Sequence, residues 1–163
     1  MLSNTDIEFF FDKLGLIKPN IISYKEIPKE GLDFSVPNVI LYEQSPNVGH
    51  WVIVFVNNEN LIEFFDSYGF MIDDELKFAY YNDKSKNLTK DFIETNEKKF
   101  EINDITFQSK NYQTCGMWVS LRYLFDCIGY TKKQFDDFFQ SINSENRDDV
   151  ARVMFEILEE KIF

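Results

Sequence analysis

The chain has 163 residues, 44% of them hydrophobic and 17% aromatic, with 18 Phe. That length supports one domain with a full core, here 1–163, and the apolar content excludes a disordered chain. Seventeen Lys and Arg stand against 28 Asp and Glu, a net charge of −11, which argues against nucleic-acid binding because phosphate contact needs a basic surface.

In chain order, "SNTDIEFFFDKLG" predicts a first helix. Ser3 caps it with Asp6 three residues on, Ile7, Phe10, Phe11 and Leu14 form its apolar stripe, and Gly15 ends it. Residues 16–37 read as irregular, punctuated by Pro19, Pro28 and Pro37. "NVILYEQ" is a short apolar strand, and "HWVIVFV" and "LIEFF" are two more, joined by the turn "NNEN". Residues 71–99 are polar: "DDELKFAYY" has helical character and "DKSKNLTKD" reads as a connector. "KFEINDITFQ" is a further strand candidate. "TCGMWVSLRYLFDCIGY" predicts an apolar helix closing at Gly129. "TKKQFDDFFQSI" opens with a Thr131–Gln134 capping box, and the last helix carries Val150, Val153, Met154, Ile157 and Leu158 at helical spacing. Helix, then strands, then helices gives α+β rather than a doubly wound pattern.

"MLSNTDIEFFF" lacks the basic start and long apolar run of a secretory signal, and no apolar run nears the 18 or so residues of a membrane span. A reducing intracellular location is therefore expected. Cys115 and Cys127 lie 12 residues apart in one predicted helix, about 18 Å along its axis, so they cannot pair there. With one His and two Cys there is no zinc spacing, and no metal or cofactor is expected.

The sole histidine, His50, stands 16 residues before Asp66, and their midpoint falls in "NNEN". A hairpin centred there sets the two side chains opposite each other, with Cβ atoms about 4.5–5.5 Å apart. A carboxylate at that distance fixes the imidazole's tautomer, the orienting half of a triad, although such pairs are also ordinary sheet stabilisers. Cys115 opens an apolar helix, and unsatisfied N–H groups at a helix start favour a thiolate. Gly116 lets a substrate backbone come close, and Gln108, at a predicted strand end, can aim its amide at a developing oxyanion. Free cysteines are more often small buried hydrophobes, and Cys127 is read as one. Nucleophile, base, orienter and oxyanion donor thus all have candidates in consistent contexts.

G-H-W, then strand–turn–strand to an acid followed by a Gly, then Q-x6-C-G opening an apolar helix, resembles the adenovirus maturation protease family, the adenains. Its clan includes the SUMO-specific proteases. The "KLG" helix end, "FSVPNVILYEQSPNVGHW" and "FFDSYGF" carry the likeness outside the motifs, across roughly residues 1–127. Relatives of this kind occur in virophages, Maverick-type elements and other DNA viruses. The resemblance implies a papain-type cysteine protease fold: a central, mostly antiparallel sheet flanked by helices, with the nucleophile at a helix N-terminus. It implies His50 as base, Asp66 as orienter, Cys115 as nucleophile and Gln108 as oxyanion donor, with Trp51 and Gly116 at the substrate. It implies cleavage of viral capsid or scaffold precursors at Gly-containing sites, by a monomer found in the host cytoplasm or virus factory and in the virion.

The resemblance leaves room for an activating peptide, which adenain tethers through a disulfide. Cys127, expected to be buried, argues against tethering here. Adenain is basic and uses DNA; a charge of −11 argues against that mode. Three alternatives share the fold. A SUMO- or ubiquitin-like-specific isopeptidase needs a broad surface for a folded partner, an acetyltransferase needs a basic inositol-phosphate site, and a silent binding module does not need four filled site positions.

Overall fold

The computed structural model describes residues 1–81 and 87–161. In chain order it forms α1 (Asn4–Lys13), β1 (Asn20–Ser23), β2 (Asn38–Ser45), β3 (Val48–Val56), β4 (Ile62–Phe65), α2 (Leu88–Glu94), β5 (Phe100–Ile102), α3 (Cys115–Cys127), α4 (Lys132–Gln140) and α5 (Arg147–Lys161). The strands make one sheet in sequence order, and the class is α+β.

β2 and β3 are near-continuous apolar runs because both faces of the sheet are covered. Val39, Leu41, Trp51, Ile53 and Phe55 point to one side, where α1, α3, α4 and α5 pack through Phe10, Phe11, Trp118, Phe135, Phe139 and Phe155. Ile40, Tyr42, Val52 and Val54 point to the other, against Tyr24, Ile27, Ile72, Leu76 and Ile93. The strand period of two thus sorts residues into two cores, and it puts His50 and Trp51 on opposite faces.

The sheet is mixed rather than mostly antiparallel. β2–β3 and β3–β4 are antiparallel, but β1 runs parallel to β2 and β5 parallel to β4. β1 lies inside the stretch expected to be irregular. Its four residues are mostly half-buried edge positions, so it carries no alternation to read. The strand expected over 99–108 shrinks to Phe100–Ile102, and "DDELKFAYY" supplies a five-residue 3₁₀ helix, Asp74–Phe78. In "DKSKNLTKD", residues 88–91 begin α2, while 83–86 lie outside the described residues, as do 162–163 at the end of the last predicted helix.

The capping boxes at Ser3–Asp6 and Thr131–Gln134 form as read. On α5 the buried residues are Asp148, Ala151 and Phe155, and Val153 and Ile157 face outward, because the helix lies on its neighbours by a narrower stripe than the apolar pattern suggested. Cys127 is exposed, not buried: the last turn of α3 leaves the core. Among the described residues no helix is long and apolar enough to cross a membrane.

α3 is pinned to the sheet by a charge pair. Arg122 and Glu63, both fully buried, meet through Nε–Oε2 at 2.7 Å and Nη2–Oε1 at 2.8 Å. The Phe55 and Phe135 rings flank the guanidinium at 5.6 and 5.4 Å, and Asn57 donates to Glu63 Oε1 at 3.0 Å. Buried pairs of this kind roughly break even when intact, but removing one partner strands a charge. Glu63→Ala is expected to lower unfolding stability by about 3–5 kcal/mol. Urea melts of the two proteins measure this, and a loss below about 1 kcal/mol is incompatible with a fully desolvated pair.

Candidate active site

Gly49 precedes His50 because the strand there leaves no room for a side chain: a Cβ would stand 2.0 Å from the Tyr42 carbonyl oxygen. β3 then delivers His50 into the face that holds Val52 and Val54. His50 Nε2 lies 2.7 Å from Asp66 Oδ1, with both residues buried. The register differs from the expected one. Ile53 pairs with Phe65 and Val56 with Ile62, so the hairpin is centred one residue later, and Asp66 falls just past β4, diagonal to His50 rather than opposite it. Parity keeps both side chains on one face, and a diagonal neighbour is still within reach.

Asp66 is held from several sides. Its Oδ1 also accepts the Tyr68 backbone N–H at 2.8 Å, and its carbonyl accepts Asn103 Nδ2 at 2.6 Å. Lys132 Nζ donates to Asn103 Oδ1 at 2.9 Å, tying this side to α4. The Tyr68 ring stacks on the imidazole at 4.5 Å between centroids. Gly69, at φ +76°, turns the chain against residues 105–106, where a Cβ would come within 2.9 Å of backbone.

Cys115 comes from the other core. Its Sγ accepts the Trp51 backbone N–H at 3.5 Å and also bonds the imidazole, so the ring lies between Asp66 and the thiol. Burial depresses the basicity of His50, but the bonds to Asp66 and then Cys115 outweigh it and raise its pKa to about 10. An imidazole that holds a proton this firmly, touching a thiol, suits nucleophilic chemistry at sulfur.

Thr114 does not cap α3 with its side chain. Its hydroxyl turns to Asp148 Oδ1 at 2.6 Å, leaving the first N–H groups of α3 uncapped. Asp148 also accepts Trp118 Nε1 at 3.0 Å and the Ser109 N–H at 2.9 Å, so α5 staples the loop before Cys115. Sequence reading missed this residue, since an acid in the first turn of a helix looks like ordinary dipole stabilisation.

Gln108 is buried in that loop, not at a strand end. Its backbone N–H and that of Phe107 both donate to the Ser67 carbonyl. Its Oε1 accepts the Ser67 hydroxyl at 2.6 Å, and its Nε2 donates to the Tyr112 carbonyl at 2.6 Å and, more weakly, to Tyr68 Oη at 3.4 Å. Ser67 thus sets the amide's orientation, a role nothing in its sequence context signals. Trp51 is buried and donates from Nε1 to the Leu2 carbonyl at 3.0 Å. The space beside Gly116 is filled by Leu2, whose side chain would stand 3.0 Å from an added Cβ.

Glu75, on the 3₁₀ helix, was also missed. It is buried, and its Oε1 stands 3.9 Å from His50 Nε2. It lines a cleft of about 420 Å³ together with Tyr68, Phe70, Phe78, Gln108 and Lys110. His50, Asp66 and Glu75 each offer one donor atom, all within 4.8 Å of one another. The 2.7 Å between His50 and Asp66 is a hydrogen-bond distance, shorter than the roughly 3.3 Å between two ligands of a tetrahedral ion.

No family model matches the chain. An "Uncharacterized protein V9" of the Sputnik virophage is 34% identical over 152 residues, covering 83% of each chain. The chain belongs to the family of that virophage protein.

The raised pKa of His50 has a direct consequence for stability. A base whose folded pKa exceeds its ordinary 6.5 contributes stability that is complete below about pH 6.5 and lost as pH climbs through about 10. With one histidine in the chain, its ring signals are unambiguous by NMR. They are expected to remain those of an imidazolium past pH 8, and Asp66→Asn is expected to lower the pKa by more than about one unit. A wild-type midpoint near 6.5 contradicts the pairing.

Proposed function

We propose that this protein is a cysteine endopeptidase of the adenain type, cutting viral precursor proteins at Gly-containing sites. One observation carries the reading. The only imidazole in the chain lies between a buried carboxylate at 2.7 Å and a thiol at the first residue of an apolar helix. A structural histidine needs no such thiol, and a buried structural cysteine needs no helix start.

In this reading the sulfur of Cys115, paired with the protonated His50, attacks the scissile carbonyl. The developing oxyanion takes the uncapped N–H of Cys115 and one N–H of Gln108 Nε2. The 2.6 Å bond to the Tyr112 carbonyl occupies one amide hydrogen, so the second, on its long contact with Tyr68 Oη, is the one free to turn. His50 then protonates the leaving amine, and an activated water releases the acyl group from sulfur. Asp66 keeps the ring oriented and stabilises the imidazolium.

Preference for glycine follows from the crowding beside the nucleophile. Leu2 accepts from Trp51 and fills the space beside Gly116, so a substrate backbone passing this wall has little width for a side chain. The relative from a virophage supports a viral setting. The acidic surface favours basic protein substrates over DNA.

The test is cleavage of Gly-containing peptides and of virophage structural proteins. Cys115→Ala is expected to abolish turnover with the fold intact by circular dichroism. Asp66→Asn is expected to lower kcat by about 10⁴, and Gln108→Ala by about 10²–10³. Normal turnover in Cys115→Ala removes the assignment.

A further inference from the structure

Two buried carboxylate oxygens near the imidazole have no hydrogen-bond partner: Asp66 Oδ2 and Glu75 Oε1. Asp66 spends its other oxygen on His50 and the Tyr68 N–H. Two ionised, desolvated carboxylates side by side repel and leave both oxygens unsatisfied, whereas one proton between them satisfies both. We propose that Glu75 is a positioning residue that shares a proton with Asp66, and that loss of this proton changes the charge His50 faces and slows its delivery of a proton to the leaving group.

The surroundings of Glu75 fit this role. From β3 it faces His50 at 3.9 Å, and from the segment after β4 it faces Asp66 and Tyr68. Lys77 of its own 3₁₀ helix and Lys110 across the cleft are the nearby cations, and the Cys115 thiol lies beyond the imidazole. Its neighbour Asp73 is engaged elsewhere, accepting the Tyr42 hydroxyl at 2.6 Å and the Lys90 N–H at 2.9 Å. Burial, opposed by the His50 charge and reinforced by Asp66, raises the Glu75 pKa to about 7. Below that pH, Glu75 donates to Asp66 Oδ2, and the imidazole sees one negative charge. Above it, the imidazole sees two.

The slowing of catalysis rests on the cysteine-protease reading, but the shared proton does not. The experiment therefore has two arms. In the first, NMR follows the His50 ring from pH 5 to 9 in wild type, Glu75→Gln and Glu75→Leu. Wild type is expected to show a step in the ring shifts near pH 7 while the imidazolium persists. Glu75→Gln, whose amide can still donate to Asp66, is expected to lose the step, and Glu75→Leu to lose the step and the acid-pH shifts together. Melting temperature gives an independent check. A carboxyl whose folded pKa is raised costs stability as pH climbs from about 4.5 to about 7, so wild type is expected to lose Tm across that window and Glu75→Gln to lose less.

In the second arm, wild-type kcat is expected to fall by roughly three- to ten-fold as Glu75 ionises, the effect of half to one unit in the histidine's basicity, and the Glu75→Gln profile to lack that fall. KM is expected to stay put. A step near pH 7 that survives in Glu75→Gln, or its absence from wild type, overturns the shared proton. A step that disappears in Glu75→Gln, in a protein that cleaves no peptide at any pH, upholds the shared proton and removes the protease instead.

Discussion

Burying the chain's one imidazole in charged form is the constraint around which this structure is arranged. His50 is 3% exposed, so neither solvent nor salt stabilises its charge. The compensation must be local, and it is assembled from separate parts of the chain: Asp66 past β4, Glu75 on a 3₁₀ helix and Cys115 on α3. Gly49 exists so that β3 can pass the Tyr42 carbonyl just before the ring, and Gly69 so that the chain can double back just after Asp66. Asn103 and Lys132 then carry the anchoring of Asp66 outward to α4.

Cys115 presents a second problem, because it approaches from the opposite core. Strand parity sends Trp51 toward α3 and His50 away from it, so thiol and imidazole meet only at the start of β3, where the Trp51 N–H reaches sulfur. Placement of α3 must therefore be accurate at both ends. The Arg122–Glu63 pair fixes its middle against β4, and Asp148 fixes the loop that feeds its first turn. All three residues act at a distance from the thiol and help to set where it lies.

Local chemistry was legible in the sequence, and long-range registration was not. The capping boxes, the turn "NNEN" and the helix beginning at Cys115 all rest on neighbours within a few residues, and all appear in the structure. His50 and Asp66 could be paired from parity alone, although the register placed them diagonally. β1 was invisible because a short edge strand buries too little to pattern its residues. Glu75, Ser67 and Asp148 were invisible for a different reason. Each is an ordinary polar residue whose role is created by a segment tens of residues away, so no local signal marks it.

Identity of 34% to a virophage protein shows common descent, but it assigns no chemistry. The chemical argument must come from what is costly to keep. A fold needing only stability has no reason to bury two carboxylates beside a histidine, since an apolar residue of similar size in place of Glu75 would relieve both the desolvation and the repulsion. Nor would it leave the start of α3 uncapped while turning Thr114 to Asp148. These features cost stability, and they gather around a single thiol. Costs concentrated at one point mark that point as the first place to look for function, because preorganised charge must be held against the protein's own tendency to neutralise it.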